Sequence, residues 1–337
     1  MISLHGPHGP VDHAVLKAGD GLPEHAVWID LLDPTEEEAR QVEAATGIRV
    51  PSRAALSEVE SSSRLRRLKS GGLSLSSPMI TFDRTDLALR PLGFVLTKAH
   101  LVTIRFSELR SYDTVKTRVA EHDGDCATSV DIFLLVIEEL VDGLADTLEE
   151  MSSDLGALST RIFDFDPKAR PGSDNGSRGS PKRRDLALRR LLRSIGRQGK
   201  SLAKVRASLL GLERIVPFVK DSCSQALGFG EEEGPRFDTL SRDIDSLDEF
   251  ETRQSETLQF LLDAALGLIN IEQNNAFRVL TVVSVVGVPP TLIASMYGMN
   301  FKHMPELEWV YGYPYGLSLI LVSALIPILI FRIKGWL

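Results

Sequence analysis

Apolar and polar positions follow three different rhythms along this chain. Over residues 26–128, short apolar runs are separated by turn residues. Ala26–Leu32, Leu73–Asp83, Leu92–Thr97 and Leu101–Phe106 are rich in Leu, Ile, Val, Thr and Phe and predict strands. Lys98, Ala99 and His100 predict a hairpin between the last two. Asp33-Pro34-Thr35-Glu36-Glu37-Glu38 opens a helix: Thr35 and Glu38 have capping-box spacing, and the acidic first turn suits the helix dipole. From Ser129 the rhythm becomes helical. Phe133, Ile137, Leu140, Leu144, Leu148, Met151, Leu155, Leu158 and Ile162 recur at three and four and predict one long amphipathic helix. Asp166–Pro181 predicts a flexible tip. A second helix returns through Leu186, Leu188, Leu192, Ile195, Leu202, Val205 and Leu209, so residues 129–235 form a long antiparallel helical hairpin.

The third rhythm ends in two uncharged apolar runs. After the break at Gly228–Pro235, a stalk helix over 236–298 runs into a first transmembrane helix at about 278–297. Its 61 residues from Arg236 to Met296 span about 90 Å as one helix, three times a membrane core. Val279–Tyr297 and Trp309–Phe331 are uncharged, and each has the about 20 apolar residues that a bilayer-spanning helix needs. An outer loop at 299–308 separates them, the second transmembrane helix is 309–331, and 332–337 is a basic cytosolic tail. Arg278, Arg332 and Lys334 flank the spans on one side, while the connecting turn sets Lys302 against Glu306 and Glu308. The positive-inside rule therefore predicts cytoplasmic termini and an outward turn. Trp309, Tyr311, Tyr313 and Tyr315 mark the outer interface and Trp336 the inner one.

Composition would hide these spans, with 43% hydrophobic and 25% charged residues resembling a soluble protein. The net charge of −8 argues against nucleic acid as a partner. Cys126 and Cys223 lack paired spacing and read as reduced thiols. Residues 1–25, with His5, His8, His13 and His25 irregularly spaced, read as a flexible N-terminal tail without a signal peptide. Ser61-Ser62-Ser63-Arg64-Leu65-Arg66-Arg67 reads as a surface turn and strand edge. No catalytic constellation is visible, so the chain is not read as an enzyme.

Charge is segregated. The returning arm of the hairpin carries Lys182, Arg183, Arg184, Arg189, Arg190, Arg193, Arg197, Lys200, Lys204 and Arg206. It reads as a solvated face paired with acids on adjacent helices, with acidic lipid headgroups or an acidic neighbour as functional alternatives. The stalk is acidic through Asp238, Asp243, Asp245, Asp248, Glu249, Glu251, Glu256 and Asp263. These carboxylates form a solvated face, or join those of neighbouring subunits around a divalent cation. On the first span, Asn274, Phe277, Thr281, Ser284, Val288, Thr291 and Ser295 step by three and four. Such a polar face turns inward in lipid, either as hydrogen-bonding glue between helices or as the lining of an aqueous path. Two spans cannot enclose a channel, so a pore needs a ring of subunits.

Tyr297-Gly298-Met299-Asn300-Phe301, Met304-Pro305-Glu306-Leu307, Trp309, Gly312-Tyr313-Pro314 and Lys334-Gly335-Trp336-Leu337 resemble the C-terminal signature of the CorA magnesium transporters. A looser resemblance runs upstream through Trp28–Glu38 and Glu58–Leu65 to nearly the whole chain. It implies a homopentameric funnel: an α+β cytosolic domain with a long helical hairpin and stalk helix, plus two C-terminal transmembrane α-helices. The implied setting is a bacterial inner membrane. The implied cargo is Mg2+, with Co2+ and Ni2+ as further candidates, and Mg2+ also regulates; no organic cofactor is implied. The family's selectivity filter falls on Gly298, Met299 and Asn300, and its pore-lining positions on Asn274, Phe277, Leu280, Thr281, Val288 and Thr291. That set overlaps the polar seam, which adds Ser284 and Ser295. Many relatives have Met-Pro where this chain has Pro289-Pro290, which predicts an accentuated kink. The regulatory cation site is placed among Asp238, Asp243 and Asp245, although the principal family position lands on Thr239.

The chemistry is consistent with the resemblance. Magnesium releases its water reluctantly. A ring of neutral Asn300 amides and carbonyls can hydrogen-bond the hydration shell without stripping it. Glu306 and Glu308 concentrate cations outside. The membrane potential supplies about 4.6 kcal/mol per divalent ion per 100 mV. Two rivals stand beside this reading. One is the related proton-coupled Zn2+ branch, which usually replaces the filter Met and lacks Met-Pro-Glu-Leu. The other is a non-transporting two-span sensor or scaffold.

Overall fold

The computed structural model describes residues 1–6, 9–10, 22–23, 25–58, 60, 64–69, 71–83, 86–121, 128–164, 181–226, 233–299 and 304–336. It divides into two compact units, Met1–Leu262 and Asp263–Leu337. The first unit is built on a seven-stranded sheet. Its strands are β1 (Ile2–Gly6), β2 (Gly9–Pro10), β3 (Trp28–Leu32), β4 (Leu65–Arg67), β5 (Leu73–Asp83), β6 (Asp86–Leu96) and β7 (Leu101–Arg105), in the order β2-β1-β3-β7-β6-β5-β4. β3 and β7 are parallel, and every other neighbouring pair is antiparallel.

The first strand corrects the expectation of a flexible tail. Ile2–Gly6 pairs with β3, with Ile2 opposite Leu31 and His5 opposite Trp28. Gly, Pro and His surround this segment, so its local pattern is weak; the exposed edge of β3 holds it in place. β6 is also longer than expected. Its extension, Asp86–Pro91, continues past the end of β7 as a two-stranded ribbon with β5. Pro78 and Pro91 oppose each other where β4 and β7 stop, so neither removes a ladder donor from a third strand.

Alternation in β3 serves two cores. Ile29 and Leu31 face Val42 of α1 (Glu36–Thr46) and Leu56 of α2 (Arg53–Leu56), together with Val95, Val102 and Ile104. Trp28 faces the opposite layer, where Leu73, Leu75, Phe94 and Leu101 meet Tyr112 and Val115 of α3 (Arg110–Ala120) and the long helices. The predicted capping box forms at α1, with Thr35 Oγ1 accepting from the Glu38 amide at 3.2 Å and Glu38 accepting from the Thr35 amide at 2.9 Å. Gly93 lets α2 approach the sheet, because a Cβ there would stand 2.7 Å from the Leu56 methyls.

The long helices are α4 (Ser129–Phe163), α5 (Pro181–Ala226) and α6 (Glu233–Tyr297). The expected three-and-four stripe is the buried face of α4. Gln198 of α5 donates to Asp154 of α4 at 2.7 Å, fixing the antiparallel hairpin. α6 runs parallel to α4: Arg236 donates to both Glu138 oxygens at 3.0 Å, Gln254 donates to the Leu148 carbonyl at 2.8 Å, and Phe163 stacks on Phe260. The helix continues through Pro289 and Pro290. The second unit contains the remainder of α6, a 3₁₀ turn at Pro305–Glu308 and α7 (Gly312–Ile333). Both helices hold an apolar stretch long enough to cross a membrane, and none of the described residues buries either stretch.

Candidate functional site

The polar seam is exposed along its whole length. Asn274, Phe277, Thr281, Ser284, Val288, Thr291 and Ser295 are all solvent-accessible in the single chain, as is Leu280 one position off the stride. Helical periodicity places them along one face because steps of three and four average close to 3.6. Thr281 donates its hydroxyl to the Phe277 carbonyl at 2.9 Å, and Thr291 donates to Gly287 at 2.8 Å. Both hydroxyl protons are therefore taken by the helix that carries them.

α6 closes at the candidate filter. The Gly298 amide donates to Ala294 at 3.0 Å and the Met299 amide to Met296 at 3.3 Å. A Cβ at Gly298 would stand 3.2 Å from the Ala294 carbonyl oxygen, so glycine allows the chain to leave the last turn closely. Met299 is half exposed; Asn300 lies outside the described residues. Pro305 opens the 3₁₀ turn, where proline's missing donor costs no hydrogen bond. Glu308 is exposed there, and the Glu306 side chain lies outside the described residues. Tyr311 and Tyr313 are exposed, and Trp309 lies against Tyr315 with ring centroids 6.0 Å apart. At the other end Trp336 stacks on Phe331 at 5.5 Å, beside Arg332 and Lys334.

The three stalk carboxylates do not converge within one chain. Asp238 is ion-paired with Lys220 of α5. Asp245 is exposed. Asp243 lines a cleft of about 380 Å³ with Glu138, Asp142, Arg118, Arg236 and Thr239. Burial raises the Asp142 pKa, the charges of Glu139, Asp146 and Asp243 raise it further, and Arg118 opposes them. Among the described residues no group of three or more His, Cys, Asp or Glu is arranged to hold a metal ion. Cys126, the Cys223 side chain, His8 and His13 lie outside the described residues.

The sequence reading missed a buried polar centre in the first unit. Asp30 sits on β3 with almost no exposure, and its carboxylate accepts from Arg105 and from the Thr103 hydroxyl at 3.0 Å. Lys116 pairs with it at 3.0 Å. Trp28 Nε1 donates to Thr103 at 3.0 Å, and the Arg105 guanidinium lies over the Tyr112 ring. Burial alone raises the Asp30 pKa, but hydrogen bonds and charge from Arg105, followed by Lys116, hold it below the usual carboxylate value. A second buried acid, Glu251, meets Arg206 at 3.5 Å and accepts from Ser255 at 2.8 Å. The available signal was an acid placed on the core face of an otherwise apolar segment.

The model of the family described as "CorA-like Mg2+ transporter protein" matches residues 23–334. The magnesium transport protein CorA of Sodalis glossinidius is 33% identical over 313 residues, covering 93% of this chain and 92% of that protein. The protein of the same name from Escherichia coli K12 is 33% identical over 314 residues, again with 93% and 92% covered. The complete structure of the CorA magnesium transporter from Methanocaldococcus jannaschii superposes with a TM-score of 0.76 at 19% identity, covering 100% of this chain and 98% of that one. At that identity the superposition speaks to the fold.

Proposed function

The chain belongs to the CorA-like Mg2+ transporter family, and from that premise we propose that it forms a homopentameric channel carrying Mg2+ into the cell down the membrane potential. The observation that carries the proposal is the seam from Asn274 to Ser295. It is a stride carrying polar groups on an apolar helix, and among the described residues no part of the same chain covers it. Burying that face against identical faces around a ring leaves a polar axis, whereas turning it to lipid would set the Ser284 and Ser295 hydroxyls in hydrocarbon. The apolar surface elsewhere on α6 and α7 suits lipid and the packing of the second span outside the first.

Gly298, Met299 and Asn300 form the outer filter in this reading. Five neutral amides hold a hydrated ion by its water, strongly enough to admit it and weakly enough to release it. Glu306 and Glu308 raise the local cation concentration at the mouth. Co2+ and Ni2+ are hexahydrated divalent ions of similar charge and belong to the same substrate class. Both termini lie in the cytoplasm of a cell whose inner membrane holds the spans. Carboxylates at Asp238, Asp243 and Asp245 on neighbouring stalks bind cytosolic Mg2+ and shift the population toward a closed ring.

The test is Mg2+ uptake by liposomes containing the purified full-length protein under an inside-negative potential, with Asn300→Ala in parallel. Potential-driven uptake abolished by the substitution is expected. Proton-dependent Zn2+ uptake with negligible Mg2+ flux would transfer the chain to the zinc-transporting reading. No flux of either ion through folded, oligomeric protein would leave the seam as helix-to-helix glue.

A further inference from the structure

Prolines in the two spans take helical donors away from particular backbone oxygens. In an α-helix the carbonyl of one residue accepts from the amide four positions later, and proline has no hydrogen to give. Pro289 and Pro290 lie inside α6, and Pro327 lies inside α7. The carbonyls of Val285, Val286 and Ser323 therefore lack their α-helical donors, and such an oxygen is costly to leave unmet in hydrocarbon. Nearby hydroxyls are directed elsewhere. Thr291 donates to Gly287, Ser318 to Pro314 and Ser323 to Ile320, each at 2.8 Å.

Two of these oxygens lie on facing sides of the helices. On α6, Val282, Val286, Ile293 and Tyr297 are half-buried, whereas Val283, Val285, Val288 and Leu292 are exposed. The half-buried set shares one face, and Val286 stands about 200° round the helix from Ser284 of the seam. On α7, Leu319, Ile320, Ser323 and Pro327 are half-buried, whereas Leu321, Val322, Leu325 and Ile326 are exposed. Within the second unit the 3₁₀ turn stands at the start of α7, so at mid-span each of these faces covers the other. Their heights agree as well. Arg278 and Arg332 mark one interface, and Tyr297 and Tyr313 mark the other. Nine residues in from either arginine, or ten in from either tyrosine, lead to Gly287 and Ser323. A helix carbonyl stands on nearly the same side as its own Cα and points along the chain. The Val286 and Ser323 oxygens thus differ by about 3 Å in height.

We infer that a single water molecule is bound between α6 and α7 at this level, donating one hydrogen to the Val286 carbonyl and the other to the Ser323 carbonyl. The inference rests on the reading that both helices cross a bilayer. Two carbonyls are both acceptors and cannot pair directly, so the site calls for a molecule with two hydrogens. The Ser323 hydroxyl completes it by turning from Ile320 to the water oxygen, because the Ile320 carbonyl keeps its helical donor, the Ala324 amide. Three hydrogen bonds are usual for a buried water. A divalent cation does not fit, since the spans carry no charged side chain here and two carbonyls with a hydroxyl cannot replace a hydration shell. The water ties the proline bend of α6 to the second span. That bend sets the tilt of Thr291 and Ser295 relative to Ser284, so Ser323 is a positioning residue for a seam that it does not touch.

The test is hydroxyl-radical footprinting of the full-length protein in phospholipid nanodiscs, where radicals formed at a bound water oxidise the side chains beside it. Oxidation of Ile320 and Pro327, with Leu321 and Leu325 unmodified at similar depth, is the expected result. Ser323→Ala lowers that oxidation about fivefold, the weight of one hydrogen bond, and Ser323→Thr restores it. Pro290→Leu combined with Pro327→Leu returns both amides, so oxidation of Ile320 disappears and Ser323→Ala has no further effect. Leucine is a strong helix former, so this pair keeps the test decisive even where the alanine variant folds poorly. Ile320 as unmodified as Leu321 overturns the inference. So does oxidation that persists in the double-leucine protein or spreads over every face of α7. Mg2+ uptake is measured on the same proteins. Ser323→Ala slows it in the parent and not in the double-leucine background; unchanged uptake in the parent overturns the positioning role. Uptake without the footprint refutes the water site and leaves the channel, whereas the footprint without uptake refutes the channel and leaves the water site.

Discussion

Arg105 holds Asp30 from two directions: its Nε lies 3.0 Å from one carboxylate oxygen and its Nη2 lies 2.8 Å from the other. Both side chains are almost completely buried. Removing one partner of such a pair strands the other charge and costs about 3–5 kcal/mol. Asp30→Ala is therefore expected to lower the denaturation midpoint markedly. Replacing both, as Asp30→Leu with Arg105→Met, should recover much of the loss. Trp28 fluorescence in the full-length protein provides the readout, since its indole donates to Thr103 in the same network.

The same carboxylate predicts a direction with pH. The folded pKa of Asp30 lies below the ordinary value. Its contribution is thus present above the unfolded carboxylate pKa of about 3.9 and is lost as the pH falls through the lower folded value. Asp142 behaves in the opposite sense, because its folded pKa is raised. Its ionised form opposes folding, and that penalty grows as the pH rises from the unfolded pKa through the folded one. Asp142→Asn should raise the melting temperature at neutral pH and lose its advantage in acid. An unchanged difference between the two proteins across that range would contradict the assignment.

Gly93 sets how closely α2 approaches the sheet. Gly93→Val should destabilise by about 1–3 kcal/mol through overpacking against Leu56. Leu56→Ala in the same chain should relieve the clash, so that the double variant is more stable than the sum of the two changes predicts. Guanidinium midpoints of the four proteins close the cycle.

In the proposed pore, Thr291→Val removes an oxygen of nearly equal volume from the seam. Its proton already goes to Gly287 within the same helix, so oligomer stability should change little. Mg2+ flux should fall, by less than with Asn300→Ala. A variant that loses the oligomer rather than the flux would favour helix-to-helix glue.

Legibility in the sequence followed the range of the interactions. Thr35 and Glu38, the apolar stride of α4 and the Lys98–His100 turn are decided by neighbours a few positions away, and all three are where local pattern placed them. The strand at Ile2–Gly6 depends on pairing with β3, so its own five residues carry little signal. Asp30 is similar: its partner Arg105 lies 75 positions later, and neither residue announces the other. The seam on α6 was legible from its period, since lipid and helix geometry impose that pattern from outside the chain. The three stalk aspartates were legible only as charge. Their separation follows from where Lys220 and the α4 cleft happen to lie.

The inward-turned hydroxyls of Thr281 and Thr291 have a further consequence on the proposed axis. With each proton given to a carbonyl one turn below, what remains toward the lumen is a pair of oxygen lone pairs and a methyl group. A hydrated cation presents only hydrogens to its surroundings, and a wall of acceptors can pass those hydrogens from ring to ring. A hydrated anion turns lone pairs outward beside one remaining hydrogen per water, and those lone pairs find no donor from the two threonines. On the proposed axis the helix would thus favour cations at these two levels by giving its own protons to its own carbonyls.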